Sequence, residues 1–306
     1  MKVNRIIKSA RLGYATMRHM IIVRLKGGMG NQLFQYALGR ALSIKNNTQL
    51  LLDTSFYKNP GFPVRTYDLG VFNIVEQFAD PKDIPFLYRT MRGRWAKLVT
   101  ALYTKILPTP GVERFFHFDP SKLMLGPDAY LDGYWQSPHY FAQYEDVIRR
   151  DFTLKLPPSG EVAKLQEEIS GVHAVCIHIR RTDYVTNNLH NVVGTEYYTE
   201  GIARIAEKTQ IDAIYVFSDD IQWCKEHLSF AYKTVFVGDV YAGTKGEWHM
   251  MLMSSAKYFV IPNSSFSWWA AWLATYPEKI VIAPKRWFTD DSIDSRDVTP
   301  AQWIRI

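Results

Sequence analysis

IIVRLKGGMGNQLFQYALGRALSIKNNTQLLLD, residues 21–53, decides the fold. Its first six residues (21–26, IIVRLK) read as a short buried strand, and a glycine-rich turn follows at Gly27, Gly28 and Gly30. From Asn31 the apolar positions Phe34, Ala37, Leu38, Ala41 and Leu42 recur at helical spacing. That pattern ends near Lys45–Asn47, and Leu50–Leu52 give a second strand capped by Asp53. Strand, glycine turn, helix, strand make one parallel βαβ unit.

A second α/β pattern starts near Gly171. Strand-like runs lie at 174–179, 213–217, 234–237, 258–261 and 280–283, with helical patterns around 196–208, 220–228 and 265–275. Such alternation predicts a mostly parallel sheet flanked by helices. Between the two patterns, residues 58–138 are irregular, aromatic-rich and punctuated by prolines. Within them Trp95, Leu98, Val99, Leu102, Tyr103 and Ile106 share a helical face, with Arg92, Arg94, Lys97 and Lys105 around it. This segment reads as a helix packed on its own domain or resting on a membrane surface. Pro157–Pro158, followed by Ser159 and Gly160, reads as a linker. The expected organisation is therefore a basic extension (1–19), an N-terminal domain (20–158) and a C-terminal domain (159–306).

Composition narrows the classes. A content of 47% hydrophobic and 22% charged residues is that of a globular protein, not a disordered or fibrous one. No apolar run approaches the ~20 residues of a membrane span, and the first twenty residues lack the pattern of a secretory signal. Cys176 and Cys224 form no disulfide framework and have no metal-ligand spacing. A cytoplasmic protein is expected. Residues 1–52 hold nine Lys or Arg and no acidic residue, so the net charge of +6 is concentrated there. That region is either a solvated basic face or one that meets nucleotide phosphates, lipid or nucleic acid.

Four motifs carry candidate chemistry. In the first, Gly28 and Gly30 open a helix beside Asn31 and Gln32, where backbone N–H groups and the helix dipole suit an anion. A dinucleotide site would share those glycines and Asp53, but Leu33 stands where its third glycine belongs, and no Walker-type Gly-Lys-Ser/Thr follows. A purely structural tight turn is the remaining reading.

The second motif, His178-Ile179-Arg180-Arg181-Thr182-Asp183-Tyr184, follows the strand at 174–179. Ligands bind beyond the carboxyl ends of such strands, and paired guanidinium forks match phosphate oxygens. His178 is a further donor or an acid/base group, and Asp183 orders an arginine. A surface ion-pair network is the alternative.

The third is Ser218-Asp219-Asp220, a carboxylate pair for guanine or a helix cap. The fourth, Asn263-Ser264-Ser265-Phe266-Ser267, enters a helix as a hydroxyl-lined phosphate cradle; Trp268, Trp269 and Trp272 follow at core spacing. No Asp-x-Asp triplet or metal-spaced cluster occurs, so arginines and helix ends would neutralise a diphosphate without metal or other cofactor.

In this order, GGMGNQLFQYALGRAL, IHIRRTDY, FSDD and NSSFSWWAAWL resemble the α1,2-fucosyltransferase family from Met20 onward. The resemblance implies an α/β, GT-B-like fold of two Rossmann-like domains facing across a cleft. It implies inverting, metal-independent transfer of fucose from GDP-fucose to the 2-hydroxyl of a terminal β-galactoside. Arg180 would contact the β-phosphate, with His178, Arg181 and Tyr184 supporting the nucleotide and Asp219 or Asp220 near guanine. Ser264, Ser265 and Phe266, flanked by Asn263, Ser267 and Ser218, would line the donor pocket, and Gly28–Gln32 would close the cleft. Asp183, Glu196, His178 and Asp53 are the candidate bases for the acceptor hydroxyl. Lacking the anchor of animal members, the chain looks like a bacterial cytoplasmic form acting in surface-polysaccharide assembly, with its basic segments leaning on anionic lipid toward a lipid-linked acceptor. A nicotinamide-dependent oxidoreductase would leave the arginines and hydroxyls unexplained. A non-catalytic sugar- or nucleotide-binding protein that keeps the fold without turnover is a further reading, against which the intact Arg180/Arg181 pair argues, and a nucleic-acid-binding role has only the charge behind it.

Overall fold

The computed structural model describes residues 19–58, 65–85, 110–181 and 193–306. The opening βαβ unit is formed as its pattern predicts: β1 (Met20–Arg24), α1 (Met29–Lys45) and β2 (Gln49–Asp53). A third strand, β3 (Ala129–Leu131), joins the other edge of β1, giving the parallel order β2-β1-β3. Ile22 lies opposite both Leu51 and Tyr130. Flanked on both edges and covered by α1, β1 buries consecutive residues, so its sequence is apolar without alternation.

The second sheet is also wholly parallel, in the order β6-β5-β4-β7-β8-β9. Its strands are β4 (Ala174–Ile179), β5 (Ala213–Ser218), β6 (Lys233–Val237), β7 (Tyr258–Val260), β8 (Ile280–Ala283) and β9 (Ile304–Arg305). The helices are α2 (Glu145–Asp151), α3 (Gly160–Gly171), α4 (Thr195–Ala206), α5 (Ile221–His227), α6 (Glu247–Ser254) and α7 (Ser265–Leu273). The chain runs outward from β4 through β5 to β6, then returns to lay β7, β8 and β9 on the other side. The switch point lies between β4 and β7, where open α/β sheets form their ligand crevice.

Each sheet lies on one side of residue 158, the boundary we propose between the halves; Ser159 is the N-cap of α3. The core nevertheless runs through both. Phe34 of α1 meets Trp268 and Trp269 of α7 at ring distances of 4.5 and 4.8 Å, and Phe141 stacks on Trp269. These tryptophans are fully buried, as their helical spacing predicts. Arg149 and Lys279 donate to the last carbonyls of α7, supplying positive charge where the helix dipole is negative. Among the described residues no helix is long and apolar enough to cross a membrane.

Candidate active site

β4 delivers His178 and Arg180 to the switch point, because a strand buried along its whole length releases its polar residues only at its carboxyl end. Arg180 lines the cleft and its Nε pairs with Asp219 at 3.3 Å. The neighbouring Arg181 is built differently. Its guanidinium lies 3.6 Å over the Trp223 ring, its Nε pairs with Asp220, and its backbone N–H donates to Asp219. Asp220 also caps α5 through the Trp223 N–H. Arg180 is thus the arginine of this pair that lines the cleft, while Arg181 and Asp220 brace the turn. Asp219 lines the cleft beside Ser218 with both oxygens engaged by the arginines.

Two helix N-termini converge beside Arg180. Asn263, Ser264, Ser265 and Phe266 bring the start of α7 to the cleft, and Gly28, Gly30 and Asn31 bring that of α1. Neither N-terminus has a side-chain cap or an acidic residue in its first turn, so partial positive charge is left facing the cleft. Gly30 has a packing reason for being glycine: a Cβ there would lie 2.5 Å from the Phe266 nitrogen. Gly27 supplies the left-handed turn, at φ +78°. Gln32 is fully buried and stitches the 66–68 loop to the helix, accepting from the Asp68 N–H and donating to the Thr66 carbonyl. Ser267 is also buried, its hydroxyl bonded to the Ser264 carbonyl.

A hydrogen-bond network fixes this floor. Asn31 Oδ1 accepts from Gln136 Nε2 at 2.7 Å and from Ser265 Oγ at 2.9 Å. Trp287 Nε1 donates to Gln136 Oε1, and Asn263 Nδ2 donates to the Trp287 carbonyl. Both halves of the chain contribute to it.

The cleft encloses about 650 Å³, within the range of small-molecule sites. Several lining residues carry no motif in the sequence: Arg65, Tyr134, Gln136, Asp239, Lys245 and His249. Tyr134 and Gln136 follow β3, a strand of three residues too short to show a period. Asp239 follows β6, and only the tertiary fold brings Arg65 or Lys245 to the rim. Lys245 donates to Thr66 Oγ1 at 2.9 Å and approaches Asp68 at 3.7 Å, joining the two walls.

His178 is almost wholly buried and its Nδ1 has no hydrogen-bond partner. Burial first, and then the charge of Arg180, push its pKa down to about 3. It is neutral at ordinary pH and meets a ligand as a dipole rather than a cation. Of the other base candidates, Asp53 is buried with its oxygens bonded to Tyr130 and to the Ser55 N–H. Glu196 is exposed in the first turn of α4 and is not among the residues lining the cleft. Asp183 and Tyr184 lie outside the described residues. Among the described residues no group of three or more His, Cys, Asp or Glu could hold a metal ion.

Two parallel sheets face one cleft, where an arginine and two uncapped helix N-termini converge at a switch point, and this arrangement is GT-B-like. The chain belongs to glycosyl transferase family 11, whose family model matches residues 5–306. It is 35% identical to an alpha-1,2-colitosyltransferase of Escherichia coli, covering 94% of this chain and 99% of the relative. It is 23% identical to a galactoside 2-alpha-L-fucosyltransferase of Caenorhabditis elegans, over 94% of this chain and 79% of that protein. In fold it is similar to the fucosyltransferase NodZ from Bradyrhizobium, with a TM-score of 0.53 and 15% identity, covering 85% of this chain and 94% of the other.

Proposed function

We propose that the protein transfers a 6-deoxy-L-hexose from its GDP conjugate to the 2-hydroxyl of a terminal β-galactoside, with inversion and without a divalent cation. The observation that carries this reading is the convergence of Arg180 with the N-termini of α1 and α7 at the switch point. As the bond from the anomeric carbon to the β-phosphate oxygen breaks, negative charge grows on the diphosphate. Arg180 and the helix N–H groups are fixed donors for that charge, which lowers the barrier where fixed dipoles act best. The acceptor hydroxyl attacks the opposite face of the sugar. Its proton passes to a group that lies either in the HxRRxDY segment or in bulk water. His178, with a pKa of about 3, serves as a neutral hydrogen-bonding partner rather than as a strong base.

Fucose is the donor sugar favoured by the four-motif resemblance. Colitose, which is fucose without its 3-hydroxyl, is the second reading, favoured by the 35% identity to a colitosyltransferase. Incubating the protein with each GDP-sugar and a β-galactoside, then reading the linkage by NMR, decides between them. No transfer from either donor would overturn the proposal. Full activity in EDTA is expected; loss restored only by added metal would remove the metal-free mechanism.

A location at the inner membrane face, near a lipid-linked acceptor, also remains a proposal. The basic segments behind it, within 1–18 and 86–109, lie outside the described residues. Sedimentation with anionic vesicles at low salt is expected, and its absence would end the idea.

A further inference from the structure

The carboxylates that the sequence offers for guanine, Asp219 and Asp220, are both committed elsewhere. Asp219 holds the Arg181 N–H and the Arg180 guanidinium, and Asp220 holds the α5 N-terminus and Arg181. Asp68, also in the cleft wall, is engaged by Gln32, Thr66 and Lys245. We infer that the nucleobase of the donor is read instead by Asp239 and His249, at the β5–β6 end of the cleft. This assignment rests on the GDP-sugar reading above and deepens it.

Asp239 follows β6 and is exposed where it lines the cleft. His249, on α6, lines the same wall. Its Nε2 lies 3.0 Å from the carbonyl oxygen of Gly238, the residue before Asp239. A carbonyl only accepts, so Nε2 carries the ring proton and Nδ1 keeps its lone pair. The Phe217 ring stands edge-on to the imidazole at 5.4 Å and fixes its plane. Burial holds the imidazole below its ordinary pKa, so the acceptor persists at neutral pH.

A carboxylate beside a neutral imidazole nitrogen is a wall of acceptors. Guanine offers two adjacent donors, N1–H and the exocyclic amine, and matches it. Adenine presents an unprotonated N1 next to its amine and meets lone pair with lone pair. Hypoxanthine keeps N1–H without the amine and falls between. The layout also separates tasks: the base sits on the β5–β6 arm, the diphosphate at the switch point, and the β8 arm, with Trp287 and Phe288, is left to the sugars.

Calorimetric titration of the full chain with GDP, IDP, ADP and UDP tests this. The wild-type protein is expected to bind in the order GDP, IDP, ADP. Asp239→Asn, an exposed and isosteric change, should weaken GDP by about ten- to a hundredfold, the worth of hydrogen bonds to a charged group, and compress the GDP-to-ADP ratio. His249→Phe keeps the ring and should lower the same ratio, with circular dichroism confirming its fold. Wild-type GDP affinity and an unchanged GDP-to-ADP ratio in Asp239→Asn overturn the assignment and leave the donor reading standing. Wild-type protein that binds ADP or UDP as tightly as GDP overturns both.

Discussion

The two sheets present their carboxyl edges to one cleft but build them from different material. At the edge of the six-stranded sheet, His178, Arg180, Ser218, Asp219 and Asn263 to Phe266 sit within a few residues of strand ends. At the edge of the three-stranded sheet, the α1 turn is equally local, but Arg65, Asp68, Tyr134 and Gln136 arrive on irregular connections. A diphosphate presents the same charges to every enzyme that uses it, and strand ends and helix starts meet them with backbone geometry. A glycan differs from one enzyme to the next, and loops supply the variation. The comparison predicts that changes on the strand-end side abolish chemistry, while changes at the seam and rim alter stability or affinity.

The largest effect is expected at Arg180. On the proposed mechanism, Arg180→Ala removes a fixed cation from the charge that develops on the leaving diphosphate. A loss of roughly 10²–10³ in kcat is expected, by analogy with deleting one fixed transition-state donor, with an unchanged thermal transition. Arg181→Ala should behave differently, because its guanidinium braces Trp223 and Asp220. It should lower stability more than it lowers kcat. If both variants lose kcat alike with unaltered stability, the division between them fails.

His178 gives the same edge a pH signature. Its folded pKa is depressed to about 3, whereas in the unfolded chain it takes up a proton near ~6.5. The unfolded state therefore binds more protons between those values, and stability falls as pH drops through them. Above ~6.5 this contribution is fully present. Urea titrations between pH 7 and 4 should show the decline, and His178→Gln should flatten it. An equal slope in both proteins would mean that other groups set the acid limit.

The same contrast explains what the sequence made legible. Both sheets, the βαβ start and the burial of Trp268 and Trp269 follow from apolar runs and helical spacing, which are local properties. β3 and β9 did not, because three- and two-residue strands have no period to detect. α6 did not, because Trp248 and Met250 to Met253 make it apolar almost all round. Within the motifs, residue types were readable but directions were not: Arg180 and Arg181 are adjacent, and only the Trp223 ring and the α5 cap show which one turns away. Gly30 was readable as a glycine that something required, yet the close approach of α7 lies 235 residues along the chain.

That approach is the next place to test the seam. Gly30→Ala puts a methyl group 2.5 Å from backbone atoms of Ser265 and Phe266, which cannot rotate aside. The two helix starts must separate, at a cost of about 1–3 kcal/mol typical of overpacking. The variant should melt earlier and bind GDP more weakly, because both N-termini that face the anion are displaced. Gly28→Ala is the control: its Cβ would meet only the end of the Arg65 side chain, at 3.7 Å. Equal losses in the two variants would show that the turn, not the helix contact, is what the glycines serve.

The smallest effect is expected at the rim. Lys245 reaches across the cleft to Thr66 and Asp68, and its side chain is 35% exposed. Partly exposed ion pairs contribute about 0–1 kcal/mol, so Lys245→Ala should leave the melting temperature nearly unchanged. What the contact controls is the spacing of the two walls in the free protein. With it removed, the donor is expected to enter and leave faster, giving a few-fold higher KM for the GDP-sugar at an unaltered kcat. Lys245→Arg, which keeps the charge and the reach, should restore KM. A drop in kcat instead would move Lys245 from the rim into the charge-stabilising set beside Arg180, and the division between strand-end chemistry and loop-borne affinity would have to be redrawn there.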